Sequence, residues 1–350
     1  MTTVSNLGEV NNTGDEYALF LKKWSGEILT TFEESNVMKD LHTVRTITSG
    51  KSAQFPVIGT AITKYHTPGD SIIEESGYAS NILHGERLIW VDKMLTSSVF
   101  IAKVEELINH YDVRGIYGTE LGRALAKKFD QQMLLLSVIG AYTDSDGEGS
   151  GMFDTGKGGT VVRTATGAIT PAAIAQGIRV AMAELDQKDV PQEDRAVIVS
   201  PDTYYRLIEH KEFVNQDYTS GNGGLDTGKI FNIYGGRIVM SNHIPADVNH
   251  TDVTNKHGGV VSGDGNSYAL NLTSGNPGLT SAAGIKAVVL QKSGLGTVKL
   301  MDLAMESEYQ VERQGSLFVS KYAMGHGVIR PECCAVVQTS AGSEVDVTAS

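Results

Sequence analysis

The sequence predicts an α+β protein, because one long helix, several extended segments and a mixed helix–strand region follow one another along the chain. Apolar residues at helical spacing from about Arg114 to Tyr142 predict one long helix. Alternating β-forming residues predict extended arms before this helix and a hairpin near the C-terminus. From about 150 to 297 helical and strand patterns alternate, which predicts an α/β unit.

Composition and charge restrict the function. The 350 residues include 41 acidic and 29 basic side chains, a formal net charge of −12, which opposes binding to nucleic acid or anionic lipid. The N-terminus has neither a basic nor an apolar signal-peptide region. The longest strongly apolar run, 133–139, is far shorter than the roughly 20 residues that span a bilayer. We therefore expect a soluble protein that is made in the cytosol and has no membrane partner.

The N-terminal part is predicted to hold one amphipathic helix followed by extended chain. Thr13 and Glu16 have the spacing of a capping box, and apolar residues then recur at helical spacing from Tyr17 to Phe32. The polar stretch 59–92 ends in the strand-like "RLIWVDK", which predicts a long β excursion with two legs. Such an arm is marginally stable alone, so we expect it to pack on a neighbouring molecule.

Helical signals resume at Ser98 and, after a break near Asp112, continue to Tyr142. The first of these two segments places four apolar side chains on one face, namely Ile101, Val104, Ile108 and Tyr111. One side of the second, a helix of roughly 40 Å, is lined by Leu121, Leu125, Phe129, Met133, Leu136 and Ile139. This second helix is expected to form a central spine.

Local signals also locate elements in the second half of the chain. Thr170-Pro171 and Ser200-Pro201 predict helix starts, because each pair joins an N-cap hydroxyl to a proline in the first turn. "RAVIVS" (195–200) and "IKAVVLQ" (285–291) predict strands. A hairpin is predicted to turn at 313–315.

Gly50-Lys51-Ser52 matches the last three residues of a nucleotide-binding P-loop, whose backbone N–H groups surround phosphate. That motif also needs a glycine five positions before Gly50, where this sequence has Arg45. A P-loop opens a helix, whereas a proline and β-forming residues in 52–58 predict a strand. We therefore predict a Gly-centred bend between two strand segments, and a nucleotide-binding enzyme that uses Lys51 and Ser52 remains as a remote alternative.

Two possible metal sites each lack part of their motif. The first half of a calcium loop is matched by Asp144, Asp146, Glu148 and Gly149, but the position of the bidentate Glu is Thr155. His84-Gly85-Glu86 matches the His-x-Glu half of a zinc deaminase, whose second half, Pro-Cys-x-x-Cys, is replaced here by "PECC". No metal site is predicted at either place.

The two cysteines, Cys333 and Cys334, are adjacent in a predicted last strand. Neighbouring side chains of a strand point to opposite faces, so a disulfide between them would be strained, and we expect both to be reduced and mostly buried. The sequence also has no nucleophile elbow, no His-Glu-x-x-His and no dinucleotide-binding glycine motif. No catalytic residue and no cofactor are therefore predicted, and the chain is not expected to be an enzyme.

Several long motifs together resemble a known family. "SGKSAQFPVIG" (49–59), "NHYDVR" (109–114) and "KYAMGHGVIRPE" (321–332), with "GTVKLMDLAME" (296–306) before the last, are similar to the major capsid proteins of T-seven-like short-tailed phages, the autographiviruses. The motifs are long, occur in the expected order and extend over nearly the whole chain. The resemblance implies the Hong-Kong-97 capsid fold.

The resemblance also implies a division of the chain into four parts. Residues 1–58 would be an N-terminal arm, and 59–97 an E-loop that lies across an adjacent subunit. The peripheral domain, with its spine helix, would combine 98–149 and 298–332. The axial domain, which meets other copies around the hexamer and pentamer axes, would combine 150–297 and 333–350.

The function implied by the resemblance is structural. The chain would self-assemble into hexamers and pentamers of an icosahedral shell that encloses double-stranded phage DNA without sequence-specific binding. Its implied partners are other copies of itself, a scaffolding protein during assembly and a portal at one vertex, while a decoration protein is left open. It would be part of the virion after assembly in the bacterial cytoplasm.

Two further points concern the implied shell. Some capsids of this fold cross-link themselves through a lysine and an asparagine. Lys64 and Lys93 bracket the predicted E-loop, but no residue matches a cross-linking motif, so no cross-link is predicted. The alternative within the same fold is an encapsulin-like nanocompartment shell, which carries cargo enzymes instead of DNA.

Overall fold

The structure is a computed structural model that describes residues 36–58, 63, 65–69, 71, 84–91, 94–104, 113–142, 158–164, 170–209, 232–244, 247–248 and 282–338. The chain divides into two compact units. Unit 1 consists of Met1–Asn36, Met94–Lys128 and Met301–Ala323, and unit 2 of Val37–Lys93, Phe129–Leu300 and Met324–Ser350. The predicted N-terminal helix and most of the predicted E-loop lie outside the described residues.

Strands outnumber helices in the described part of the chain. Before the α/β region the elements are β1 Thr43–Thr46, β2 Ser52–Ile58, β3 His84–Trp90, β4 Leu95–Ala102 and α1 Val113–Tyr142. Next come β5 Thr160–Arg163, α2 Pro171–Gln187, β6 Arg195–Val199, α3 Pro201–Glu209, β7 Asn232–Ile233, β8 Gly236–Met240, β9 Asp247–Val248 and β10 Ala282–Ala283. The last are β11 Ile285–Gln291, β12 Leu295–Gln310, β13 Gly315–Val328 and β14 Cys334–Gln338, with short 3-10 helices at Lys292–Gly294 and Pro331–Cys333.

Unit 2 contains a six-stranded sheet with the order β5-β14-β11-β6-β8-β7. β11 is antiparallel to both of its neighbours, whereas β14 with β5 and β6 with β8 form parallel pairs. Every residue of β6 and β14 is buried, so the centre of the sheet is covered on both faces. Strands of this kind are continuous apolar runs, and the strands predicted from "RAVIVS" and "IKAVVLQ" are confirmed.

Helices lie on the two faces of this sheet. α2 buries Ile178 and Leu185 in a core that also contains Val289 and Val337. Side chains alternate across a strand, so Cys334 points to the opposite face from Val337. There α1 approaches so closely that a Cβ on Gly140 would lie 3.1 Å from Cys334 Sγ. The sheet is therefore the middle layer of an α/β/α arrangement.

Both predicted helix starts are confirmed. Thr170 is the N-cap of α2, and its Oγ1 accepts a hydrogen bond from the N–H of Ala173 at 3.3 Å. Ser200 precedes α3, and its Oγ accepts one from the N–H of Thr203 at 3.3 Å. In each case the hydroxyl satisfies a backbone donor that has no partner within the helix.

A second sheet has the order β1-β12-β13-β4. β1 runs parallel to the first part of β12, with Thr43 opposite Gly296, and this pairing lies in unit 2. β4 runs antiparallel to β13 in unit 1, from Leu95 opposite Tyr322 to Ala102 opposite Gly315. β12 and β13 are joined by a turn at 311–314, which confirms the predicted hairpin.

The helix predicted to begin at Ser98 is wrong over its first residues, because 95–102 form strand β4. Ile101 and Val104 are three residues apart, which fits a helix, but Val99 and Ile101 also fit the alternation of a strand. Pairing with β13 decides between the two, since it satisfies the backbone of β4 and lets Ile101 pack with Leu121 and Phe318. Ile108 and Tyr111 lie outside the described residues.

The long helix is confirmed as α1, and the predicted apolar side of it is buried. The sequence pattern indicated a single buried face, but Leu134, Leu135 and Val138 are buried as well. The C-terminal half of α1 is therefore enclosed by protein around its whole circumference. None of the described helices is sufficiently long and apolar to cross a membrane.

The cap of α2 gives a stability prediction. Thr170→Ala should lower the free energy of unfolding by about 1 kcal/mol, because the N–H of Ala173 loses its acceptor. Thr170→Ser keeps a hydroxyl at the same place and should change it little. Urea unfolding of the unassembled protein measures both, and equal losses for the two variants would contradict the capping role.

Candidate assembly surfaces

Strands β2 and β3 form a separate two-stranded hairpin, in register from Ser52 opposite Trp90 to Ile58 opposite His84. Phe55 and Ile89 are buried, while Gln54 and Pro56 on β2 are exposed. An isolated two-stranded hairpin is marginally stable in water, so the buried side chains hold it in place. The exposed side chains are available for contacts with another molecule.

The end of β3 lies directly against two glycines of β13, which we call the glycine strip (Gly325 and Gly327). A Cβ on Gly325 would lie 2.1 Å from the carbonyl oxygen of Trp90, and a Cβ on Gly327 would lie 2.9 Å from Cγ1 of Ile89. Both distances are shorter than normal van der Waals contact, so backbone packs against backbone at Gly325, and the Ile89 side chain packs against backbone at Gly327. The glycine strip lies within "KYAMGHGVIRPE", and the packing gives a physical reason for part of that motif.

The P-loop-like residues form the predicted bend. Gly50 has a φ of 102°, and β2 begins at Ser52 without an intervening helix. The Lys51 carbonyl accepts the N–H of Val91 at 2.7 Å, and its ammonium lies 6.0 Å from the centre of the Trp90 ring. Lys51 therefore braces the base of the hairpin, and no helix N-terminus is present at Ser52 to bind a phosphate.

An open groove lies between the end of β1 and strand β2. Its volume is about 730 Å³, and it is lined by Arg45, Ile47, Ser52, Ala53, Gln54, Pro56 and Glu86. The Arg45 guanidinium donates to the carbonyl of Gln54 and lies 5.9 Å from the centre of the Phe55 ring. Glu86 accepts a hydrogen bond from the amide of Gln54 at 3.0 Å. The groove combines polar groups with a strand edge, which suits contact with another polypeptide better than catalysis.

The residues considered for metal binding do not converge where they are described. Glu86 lies in β3 and contacts Gln54, and among the described residues no three side chains of His, Cys, Asp or Glu are arranged to hold a metal ion. The calcium-loop residues Asp144 to Thr155, and also Lys64 and Lys93, lie outside the described part of the chain. Just beyond that loop, the Lys188 ammonium donates to the carbonyls of Gly158 and Gly159 at 2.8 and 3.2 Å.

Both cysteines are free thiols, as predicted, and both are buried. Cys333 lies 3.4 Å from the hydroxyl of Ser293, and burial raises the pKa of its thiol to about 11. Burial also raises the pKa of Cys334 well above its usual value. Thiols that stay protonated are poor nucleophiles, so these residues act as small apolar side chains.

Two buried histidines flank Phe129 inside unit 2. Ring centroids lie 5.6 Å apart for His42 and Phe129, and 4.9 Å apart for Phe129 and His326. His42 Nδ1 donates to the carbonyl of Met38 at 2.7 Å, and His326 Nδ1 lies 2.9 Å from the hydroxyl of Thr297. Burial lowers the pKa of both rings, that of His326 to about 3, so both are neutral at pH 7. Sequence reasoning missed this cluster, because its three rings are far apart in the sequence and the motif that contains His326 does not indicate a contact with Phe129.

Unit 1 also presents apolar side chains to solvent. Tyr309 and Val311, at the tip of the β12–β13 hairpin, are 45% and 69% exposed, and Phe100 on β4 is 37% exposed. The Lys103 ammonium lies 5.9 Å from the centre of the Tyr309 ring, and the Lys103 N–H donates to the carbonyl of Gln314 at 3.0 Å. These side chains form a second surface that could contact another molecule.

Comparison with solved structures establishes the class of protein. The fold matches the capsid structure of cyanophage P-SCSP1u with a TM-score of 0.69 and 34% sequence identity, covering 97% of this chain and 99% of that chain. The chain therefore has a phage-capsid fold of the Hong-Kong-97 type, as the sequence predicted.

Sequence comparison then gives the family. Residues 54–338 match the model of the Gp10A-like major capsid proteins. The chain is 33% identical to the major capsid protein of Enterobacteria phage T3, covering 95% of each, and 33% identical to that of Escherichia phage T7, covering 93% of this chain and 92% of the relative. It belongs to the Gp10A-like major capsid protein family.

Membership of this family confirms a structural role in the shell of the virion. The relatives are capsid proteins and not enzymes, so the alternative of a nucleotide-binding enzyme built on Lys51 and Ser52 is set aside. The match to phage proteins also favours a phage capsid over an encapsulin-like nanocompartment.

The glycine strip gives a second prediction. Gly325→Ala should lower the free energy of unfolding by about 3 kcal/mol and disturb β3, because the new methyl group collides with the Trp90 carbonyl. Gly50→Ala is the control: a Cβ there meets no atom within 4 Å, and only its φ of 102° opposes the change, at about 1 kcal/mol. Urea unfolding measures both losses, and a Gly325→Ala loss no larger than that of Gly50→Ala would show that the contact can relax.

The buried histidine gives a pH prediction. The unfolded chain protonates His326 below about pH 6.5, but the folded chain does so only near pH 3, so unfolding is favoured as pH falls through 6.5. As the pH falls from 7.5 to 5, protonation of His326 in the unfolded chain should lower the free energy of unfolding by about 2 kcal/mol, at about 1.4 kcal/mol per pH unit below 6.5. His326→Gln should remove that part of the pH dependence in urea unfolding, and an unchanged slope would contradict the lowered pKa.

Proposed function

We propose that the chain assembles into hexamers and pentamers of an icosahedral shell that encloses double-stranded phage DNA. The observation that carries the proposal is the β2–β3 hairpin, which the glycine strip contacts at its base. β2 ends where the predicted E-loop begins, and β3 lies within that loop. A contact between different surfaces of identical subunits closes into a ring when the rotation per subunit divides the circle. A hairpin that extends from one copy onto the next supplies such a contact.

We also propose that the chain has the four parts implied by the resemblance. The hairpin at 52–90 spans the junction between the proposed N-terminal arm, 1–58, and the E-loop, 59–97. The β4–β13 pair and the first half of α1 lie together in unit 1, which supports the central part of the peripheral domain, composed of 98–149 and 298–332. β14 lies between β5 and β11, which supports placing 333–350 with 150–297 in the axial domain.

Rings of five and six subunits need the same contacts at different angles, so the subunit needs joints. Gly50 is suited to this role, because glycine readily adopts its φ of 102°. A Cβ there would meet nothing within 4 Å, so no neighbouring atom restricts a change of backbone angle. Gly77 and the stretch 147–159 are further candidates, of which only Gly158 and Gly159 are among the described residues. Equal backbone angles at these positions in pentamers and hexamers would contradict the hinge proposal.

The acidic balance of the chain fits a shell around DNA. A net charge of −12 repels the phosphate backbone, so packaged DNA would not adhere tightly to the inner surface during filling and ejection. Binding between subunits is then supplied by several contacts per copy instead of one strong site. The further partners in this proposal are a scaffolding protein during assembly, a portal at one vertex and an optional decoration protein. Assembly would take place in the bacterial cytoplasm.

Electron microscopy tests the proposed assembly directly. The full chain, expressed alone and together with a scaffolding protein, should form hollow particles that negative stain reveals. Lys51→Ala keeps the backbone carbonyl that accepts the N–H of Val91, so it should still form particles. Neither protein should bind ATP in calorimetry, because Ser52 begins a strand and not a helix. Persistent monomers under both conditions would count against a shell, and covalent oligomers on a denaturing gel would contradict the absence of cross-linking.

A further inference from the structure

One buried carboxylate joins three segments of unit 2 that are far apart in the sequence. Asp130, in α1, is fully buried, and its Oδ2 and Oδ1 accept the N–H groups of Val37 at 3.0 Å and Met38 at 3.2 Å. His243, which follows β8, places its Nδ1 3.5 Å from Oδ2. That separation is long for a hydrogen bond, so His243 is a near neighbour of the carboxylate and not one of its hydrogen-bond donors.

The two N–H groups belong to a turn that the carboxylate completes. Met38 closes this turn by accepting the N–H of Leu41 on its carbonyl at 3.2 Å. Asp130 satisfies the backbone donors at the start of the turn, as an N-cap side chain does for a helix. The contact with Met38 spans 92 residues of sequence, so the turn is fixed by a distant element and not by its own side chains.

The chain that follows the turn is held at successive points. The ring of His42 packs on Phe129, the residue before Asp130. β1 then pairs with β12 in parallel register, and the N–H of Ile47 donates to the carbonyl of Lys299 at 2.9 Å. A slip of one residue would turn every β1 side chain to the other face and would shift the bend at Gly50. The turn therefore determines where β2 begins.

We propose that Asp130 is a positioning residue for shell assembly, which fixes the turn at 37–41 and thereby the register of β1 and the origin of the β2–β3 hairpin. The inference rests on the proposed function, because it concerns how the hairpin is presented to a neighbouring copy. Burial raises the pKa of Asp130, while the N–H groups of Val37 and Met38 and the nearby His243 act in the opposite direction. Burying this carboxyl group costs free energy, and the N–H groups that donate to it favour its charged form.

The test compares Asp130→Asn with Asp202→Asn. Asparagine has the same shape, but its amide group presents a donor to one of the two backbone N–H groups and leaves that N–H without an acceptor. Amide hydrogen exchange at 38–47 should become at least about tenfold faster, while β6 and β11 stay within about twofold of the unchanged protein. The yield of uniform particles should fall at least about tenfold. Asp202→Asn removes an exposed carboxylate paired with Arg206 and should change neither quantity.

Each outcome separates this inference from the proposed function. If the unchanged protein forms shells and Asp130→Asn matches it in particles and exchange, the inference is wrong and the capsid role stands. Equal acceleration in 38–47, β6 and β11 would show a general loss of stability and would also overturn the positioning role. If Asp130→Asn fails to fold, His243→Gln replaces it in the test. Amide hydrogen exchange at 38–47 should then be about threefold faster than in the unchanged protein. Uniform exchange in that variant would reject the proposal.

Discussion

The burial of the second half of α1 is the interaction on which most of unit 2 depends. Met133, Leu136 and Ile139 form the face that an amphipathic pattern predicts, but Leu134 and Val138 are equally inaccessible. A helix that is apolar around its circumference has no stable position in water. The six-stranded sheet, the segment at 37–42 and the start of β12 must therefore all be in place before this helix is covered, which makes their folding interdependent.

The described fold follows from the sequence wherever the decisive signal is local. The N-caps Thr170 and Ser200 and the buried run of β6 needed only neighbouring residues for their prediction. The part of β4 from Ser98 onward was predicted as a helix, because its apolar residues fit both a helical and a strand period, and only the pairing with β13 decides between the two. Tertiary pairing of this kind is absent from any window of sequence, so no local pattern could have corrected the error.

The functional residues were harder to predict than the fold, for the same physical reason. Lys51 belongs to a short motif that suggested phosphate binding, but in the structure its ammonium lies beside the Trp90 ring at the base of the β2–β3 hairpin. Asp130 and His42 belong to no motif, His326 stands in a recognised motif that gives no sign of its partner, and the contacts of all three join parts of the chain that are distant in sequence. The glycine strip was part of a recognised motif, but its purpose becomes clear only from the position of the Trp90 carbonyl. A shell protein distributes its function over packing contacts, which leave weaker traces in sequence than catalytic groups do.

The contact between β3 and the glycine strip also has a consequence for timing during synthesis. The hairpin strands are made early, but Gly325 and Gly327 lie near the end of the 350-residue chain. While the ribosome is still translating the middle of the message, the nascent hairpin has no surface to rest on and is only marginally stable. A subunit thus completes the packing of β2 and β3 only after Gly325 and Gly327 have been synthesised. A chain that stops before Gly325 would lack the surface on which β3 packs.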